Sequence, residues 1–155
     1  MKLKSLFMFT AVALTVAGCS SDNGPSVNPR LVKPSTYSLS IYATDRANIN
    51  VYSPKVFQLT DKSLFLSSTY DDFRGNDFTE SLGKTYVSNI DLIIAPNQFR
   101  FVDSEEMNEK THYIGVVALF NGYENRKWKG IVQVKPKGGE SYPLLIRVLD
   151  SKVEI

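Results

Sequence analysis

Residues 113–120 read Tyr-Ile-Gly-Val-Val-Ala-Leu-Phe, a run that contains no charged or amide side chain. A continuous apolar run of this length is typical of a strand that is covered on both of its faces. Asn121-Gly122 follows directly and favours a tight turn. The run therefore predicts a central strand, with the rest of the domain built on either side of it.

The segments around this run show the two-residue period of β-strands. Residues 37–43 predict a half-buried strand with Tyr37, Leu39, Ile41 and Ala43 on one face. About seven strands at such spacing predict a β-sandwich. The remaining predicted strands are residues 55–59, 86–94, 98–102, 128–134 and 142–149.

Residues 61–84 depart from this pattern, because their apolar side chains recur mostly at helical offsets among polar residues. They predict short helical turns inserted into the sandwich. Asp77, with Glu80 three residues later, predicts a helix start, and Gly83 is suited to a helix end.

The strand at 98–102 carries two aromatic side chains on one face, Phe99 and Phe101. The polar residues 103–110 that follow it predict a loop. The sandwich is thus expected to resume only at the apolar run.

The N-terminus has the organisation of a bacterial signal peptide. Lys2 and Lys4 precede residues 6–17, which are apolar except for two threonines. That stretch has about 12 residues, whereas a membrane-spanning helix needs about 20. Val16-Ala17-Gly18-Cys19 resembles a lipobox, so we expect cleavage before Cys19 and acylation of its sulfur. The other interpretation of a lone cysteine is a buried, inert side chain.

These features predict three parts of the chain. The 16 residues after the cysteine contain Pro25, Pro29 and Pro34 and few apolar side chains. At about 3.1 Å per residue, such a tether spans up to roughly 50 Å. The parts are a signal peptide at 1–18, the lipidated cysteine with a flexible tether at 19–35, and the β-sandwich domain at 36–155.

The charge of the mature chain gives no support for a nucleic-acid partner. Loss of Lys2 and Lys4 with the signal peptide lowers the number of basic residues from 18 to 16, which equals the number of acidic residues. A formally neutral domain lacks the basic excess of nucleic-acid-binding proteins.

Residues for catalysis are also scarce. His112 is the only histidine, so neither a multi-histidine metal site nor a choice of catalytic bases is available. The acidic pairs Asp71-Asp72 and Glu105-Glu106 are sequence neighbours, which point in different directions in a helix or a strand. We therefore expect no enzyme activity, metal, cofactor or small-molecule substrate, and a role in binding a partner protein.

Several segments together resemble the outer-membrane lipoproteins of the type VI secretion system, the TssJ (VasD or SciN) family. The most specific segments are residues 113–118 and the pair Trp128-Lys129, although arginine is common in the family at position 129. The other segments are Asn50, Ser53-Pro54, Phe57-Gln58-Leu59, Phe65, Tyr70-Asp71-Asp72-Phe73, Leu82-Gly83, Pro96 and Phe120.

The resemblance implies a transthyretin-like two-sheet sandwich with a short helical insertion, anchored at the periplasmic face of the outer membrane. It also implies a partner, the periplasmic C-terminal domain of the IcmF-like inner-membrane protein TssM. Other functions that fit the sequence are a pilotin-like or other envelope assembly lipoprotein and, as a third choice, a tethered periplasmic enzyme.

By the same resemblance, the first inter-strand loop, residues 44–53, contacts TssM. Ile49 is apolar among polar neighbours, which suits a binding anchor within a polar rim. The alternative for Ile49 is that it packs back onto the edge of the sandwich. If substitutions in the loop leave binding at full strength, the interface is expected on the helical insertion or the turn at 121–127. The predicted partner-binding residues are Asp45, Arg46, Asn48, Ile49 and Asn50.

Overall fold

Two four-stranded sheets pack face to face, and three short helices cover one of them. The computed structural model describes residues 33–49, 53–75 and 77–155. The strands are β1 (Ser35–Ala43), β2 (Lys55–Leu59), β3 (Tyr86–Asp91), β4 (Gln98–Met107), β5 (Tyr113–Val117), β6 (Lys129–Gln133), β7 (Ser141–Val148) and β8 (Val153–Glu154). The helices are α1 (Ser63–Ser67), α2 (Tyr70–Arg74) and α3 (Phe78–Leu82), and a 3-10 turn follows at Gly83–Thr85.

The strand order is β4-β1-β7-β8 in the first sheet and β3-β2-β5-β6 in the second. β1 pairs antiparallel with β4 and parallel with β7, whereas the second sheet is antiparallel throughout. This confirms the predicted all-β, transthyretin-like two-sheet sandwich with a short helical insertion.

The core between the sheets follows the alternation of β1. Tyr37, Leu39, Ile41 and Ala43 are buried and pack in one cluster with Ile114 of β5. Full burial of an aliphatic or aromatic side chain stabilises a fold by roughly 1.5–3 kcal/mol. Side chains of this kind from both sheets therefore account for most of the favourable free energy of folding.

β5 is covered on both faces, as its apolar run predicts. Ile114 and Val116 face the core between the sheets, and Val117 joins a second cluster beneath the helices. That second cluster is largely aromatic: the ring of Phe57 lies 5.3 Å from Phe73 and 5.1 Å from Phe78, both edge to face. Such pairs add about 0.5–1.5 kcal/mol each to the burial of their surface.

The helical insertion lies where the sequence predicts it, and its helices each have five residues. Gly83 ends α3 with a φ of 47°, a left-handed conformation that glycine adopts without steric cost. In the described ranges, no helix has the length and apolar character that a membrane span requires.

Lys129 fastens the insertion to the sheet. From the start of β6 its Nζ donates hydrogen bonds to the carbonyl oxygens of Phe65 (2.9 Å), Leu66 (2.6 Å) and Ser68 (2.9 Å). These are carbonyls at the end of α1, which have no partner within the helix. Burial lowers the pKa of Lys129 below its ordinary value.

The last helix starts where it was predicted, but the capping interaction expected there does not form. Asp77 does precede α3, but its side chain makes no capping hydrogen bond. A capping box forms instead before α2, where the Thr69 amide donates to Oδ2 of Asp72 at 2.6 Å and the Thr69 side chain accepts from the Asp72 amide.

Several strand boundaries differ from the predictions; for example, β3 ends at Asp91 and not at residue 94. The predicted loop at 103–110 is wrong for its first five residues, because β4 continues to Met107 and pairs with the start of β1 after a bulge. β8 was not predicted, since two residues are too few for a recognisable pattern. β1 begins at Ser35, one residue inside the predicted tether.

Candidate functional site

The predicted partner-binding loop leaves the end of β1 and turns sharply. The amide of Ala47 donates to the carbonyl oxygen of Thr44 at 3.1 Å, and Ala47 is buried. Asp45, Arg46 and Asn48 are exposed at this end of the sandwich. These three predicted site residues are thus available to a partner on one short loop.

Ile49 does not serve as the exposed anchor that was predicted. Its side chain is 6 % exposed, belongs to the core cluster and forms an antiparallel bridge with Phe120. The alternative interpretation, packing onto the sandwich, is correct because burial of an isoleucine is more favourable than its exposure on a loop. Asn50 and Cys19 lie outside the described residues.

The loop is joined to the turn that follows β5. The Asn121 backbone amide donates to the Asn48 carbonyl oxygen at 2.8 Å, and the Asn121 side-chain amide donates to Oδ1 of Asn48 at 3.1 Å. The Asn48 side-chain amide in turn donates to the Asn121 carbonyl oxygen at 3.3 Å. At the end of the loop, the buried Ser53 hydroxyl accepts from the Leu119 amide at 2.8 Å. The loop at 44–49 and the turn at 121–127 therefore form one continuous surface, and we call it the loop–turn surface.

A groove of about 500 Å³ opens beside the loop–turn surface, between α2 and the turn. On one side the rings of Tyr70 and Tyr123 are stacked at 4.2 Å, and Tyr123 is still 36 % exposed. Arg74 and Glu124 add one charge of each sign to the lining. An aromatic wall with a mixed-charge rim is the composition of a protein-binding surface.

The floor of the groove is held rigid by contacts to Phe120. The Tyr70 hydroxyl donates to the Phe120 carbonyl oxygen at 2.5 Å, and burial raises the pKa of this phenol. The Arg126 guanidinium lies 5.1 Å from the centre of the Phe120 ring and donates to the carbonyl oxygen of Asp150 at 2.9 Å. These bonds fix the turn against both the helices and the sheet.

Sequence reasoning named the turn at 121–127 only as a second location and did not identify the groove. Tyr70 carries part of the family resemblance, but nothing local indicates that it lines a groove, because its pairing with Tyr123 joins residues that are far apart in the chain. Tyr123 gave a weak one, as an aromatic residue in a polar turn after Asn121-Gly122.

The residues considered for catalysis have structural contacts. His112 is exposed, and its Nδ1 lies 3.1 Å from the Thr60 carbonyl oxygen. Asp71 faces Arg74 at 3.5 Å, whereas Asp72 caps α2. Among the residues that the structure describes, histidine, cysteine and acidic side chains do not gather in threes to form a metal-binding group.

A family model supports the sequence resemblance. Residues 35–151 match the model described as "Type VI secretion lipoprotein, VasD, EvfM, TssJ, VC_A0113". Curated protein sequences, in contrast, show no significant match to the chain.

Solved structures with the same fold come from several bacteria. The T6SS lipoprotein TssJ1 from Pseudomonas aeruginosa is 18 % identical, with a TM-score of 0.66 over 78 % of this chain and 94 % of that one. Lip from Serratia marcescens, a membrane-bound component of the type VI secretion system, is 17 % identical, with a TM-score of 0.67 over 77 % and 95 % of the two chains. A chain of the structure described as the T6SS protein TssM C-terminal domain (869–1107) from EAEC is 20 % identical, with a TM-score of 0.61 over 77 % and 95 %.

Proposed function

Because the chain belongs to the family of type VI secretion lipoproteins that includes VasD, EvfM and TssJ, we propose that it anchors the secretion apparatus by binding TssM. As a member of that family it is a lipoprotein of the type VI secretion membrane complex. In our proposal the partner is the periplasmic C-terminal domain of TssM, and acylated Cys19 holds the protein at the periplasmic face of the outer membrane. Its role is structural rather than enzymatic, in keeping with the family.

The observation that carries the binding proposal is the joining of the loop and the turn into one surface. Asp45, Arg46 and Asn48 are exposed on a loop whose stem is fixed by the bridge from Ile49 to Phe120 and by the bonds to Asn121. A loop that is already ordered loses little conformational entropy when it binds. It is therefore suited to a stable complex.

The position of the groove extends the same surface. Tyr123 is part of the turn and is partly exposed, so a side chain of the partner that enters the groove would contact its ring. Tyrosine is among the residue types that contribute most to binding at protein interfaces. A chain with this fold also occurs in the structure named for the TssM C-terminal domain, which supports the choice of partner.

The proposal predicts that Asp45→Ser with Arg46→Ser weakens binding to a TssM periplasmic fragment at least tenfold, or about 1.4 kcal/mol. Tyr123→Ser is expected to act in the same direction. Because Asp45 and Arg46 are exposed, the melting temperature of the double variant should change little, whereas Tyr123→Ser also loses the stacking on Tyr70 and should melt at a lower temperature. Isothermal titration calorimetry of the purified mature chain measures the affinity.

Glu109→Ser with Lys110→Ser is the matched control. These residues are also an exposed acidic and basic pair, but they line a pocket with Pro34 beside the start of β1, at the opposite end of the strand from the loop. Binding of the control should equal that of the wild type. Equal affinities of all the variants would place the interface elsewhere and refute the proposal.

A further inference from the structure

The two outer faces of the sandwich are covered very differently. The helices α1–α3 pack on the second sheet, whereas the outer face of β4-β1-β7-β8 exposes large apolar side chains in the described part of the chain. Phe99 is 64 % exposed, Phe101 55 %, Leu145 55 % and Tyr42 39 %. We call these four residues the outer patch.

The strand register makes the outer patch continuous. Tyr42 of β1 pairs with Phe99 of β4, and Ser40 pairs with both Phe101 of β4 and Leu145 of β7. With about 200 Å² of surface for each aromatic side chain, the patch exposes on the order of 400 Å² of largely apolar area. The largest apolar patch of a typical monomer has about this size and is often functional.

One charged residue adjoins the outer patch, because Arg147 of β7 pairs with Tyr42, whereas the outward residues around Ser40 are uncharged. Thr36, Ser38 and Ser40 are the outward residues of β1 before Tyr42, and all three are uncharged. At one corner Arg147 forms an ion pair with Glu154 at 2.6 Å. Covering the centre of the face therefore requires no charged side chain to lose its water.

We propose that the outer patch rests on the lipid surface of the membrane that holds the protein. The proposal depends on the acyl anchor at Cys19 that is part of the proposed function. Lys33, the first described residue, is 14 residues from Cys19, so the start of β1 lies within about 50 Å of the bilayer whatever path the chain takes. A lipid surface is thus always within reach, and a tethered contact of this kind benefits from a high effective concentration.

The composition of the outer patch fits the headgroup region of a bilayer. Aromatic side chains are favoured there, and the apolar area of the patch gives a lipid affinity of its own, which the acyl anchor strengthens. With this face on the membrane, the helices and the groove beside Tyr123 lie on the far side of the sandwich and stay open to a partner. The patch then orients the domain.

The test uses the mature chain, residues 19–155, with Cys19→Ser so that no acyl chain contributes. Its partitioning into vesicles of phosphatidylethanolamine and phosphatidylglycerol is measured by co-sedimentation. Phe99→Ser with Phe101→Ser should lower the partition coefficient at least tenfold, because two rings leave the lipid. Leu145→Ser should lower it severalfold, and it provides an independent variant if the double variant folds poorly.

Leu64→Ser with Leu66→Ser is the control, because these leucines are 36 % and 49 % exposed on α1 and lie on the other layer. This control should partition like the wild type. The assay involves neither acylation nor TssM, so its outcome is independent of the tests of the proposed function.

Four results would overturn the inference. One is an equal effect of the patch and control variants. Another is a patch variant that loses affinity for the TssM fragment while vesicle binding is intact, which would make the face a protein interface. A third is a wild-type dimer that the patch variant dissociates. The fourth is vesicle binding that begins only after residues 20–32 are deleted, since the tether would then cover the patch.

Discussion

Gly115 lies where β5 passes beneath the Phe65 ring of α1. A Cβ atom at this position would be 2.8 Å from two carbons of that ring and 3.2 Å from a methyl carbon of Leu59. Phe65 and Leu59 are both fully buried, so neither side chain has space into which it can move. The glycine therefore sets the distance between the helical insertion and the sheet.

We predict that Gly115→Val lowers the free energy of unfolding by about 1–3 kcal/mol, because overpacking forces buried side chains off their preferred rotamers. Urea denaturation measures the change. Gly75→Val is the matched control, since the nearest atoms to a Cβ there are 3.9 Å away. A loss of similar size in both variants would show that β-branching, and not the Phe65 contact, is responsible.

Single residues also show where prediction from sequence is limited. In the sequence, Lys129 stands out only as half of a tryptophan-basic pair. Its three carbonyl acceptors cannot be predicted locally, because they belong to residues more than 60 positions away. Ile49 was correctly recognised as an exception among polar neighbours. Whether the Ile49 side chain is exposed or buried cannot be predicted from the sequence, because the bridge partner of Ile49, Phe120, is 71 residues away.

At the scale of elements, the capping box of α2 makes a prediction that depends on pH. Hydrogen bonds from the Thr69 amide, the Ser81 side chain and the Thr69 hydroxyl lower the pKa of Asp72 below its ordinary value of 3.8. A carboxylate whose folded-state pKa is depressed stabilises the fold above its unfolded pKa. That contribution is lost as the pH falls through the folded-state value.

Asp72→Ala should therefore cost about 0.3–1 kcal/mol of stability at neutral pH, the range for an acidic side chain in the first turn of a helix. The difference from the wild type should shrink as the pH falls from about 3.8 through the folded-state pKa of Asp72, and it should be absent at still lower pH. Asp77→Ala is the control, because Asp77 also precedes a helix but makes no capping hydrogen bond. Thermal melts across the pH range test this, and a larger loss for Asp77→Ala would contradict it.

Whole elements were predicted best where local pattern and tertiary environment agree. The alternation of β1 and the apolar run of β5 gave both position and burial, because each strand lies at the centre of its sheet. β4 is an edge strand, so Glu105 and Glu106 can pair with β1 and still reach water, while Asp103 lies at the bulge. Alternation also placed Phe99 and Phe101 on one face, but nothing local indicated that this face is the outer one.

For the whole molecule, the proposed lipid anchor at Cys19 makes a prediction about where the protein resides. We predict that Cys19→Ser abolishes labelling with palmitate and leaves the protein unprocessed or soluble, because only the cysteine sulfur accepts the diacylglyceryl group. Labelling at the wild-type level would contradict the assignment. With Ser20 after the cysteine, where aspartate is the usual retention signal, the wild type should sediment with outer-membrane markers in a sucrose gradient.

The path of β1 through the sandwich has a mechanical consequence. The tether enters at Ser35, and the loop of Asp45 and Arg46 leaves from the other end of the same strand. A pull between an anchored N-terminus and a partner held at that loop runs along β1. Its hydrogen bonds to β4 and β7 lie across this direction, so they are loaded together in shear and are not broken one at a time from an end. Resistance to tension along this line is thus a consequence of the strand order.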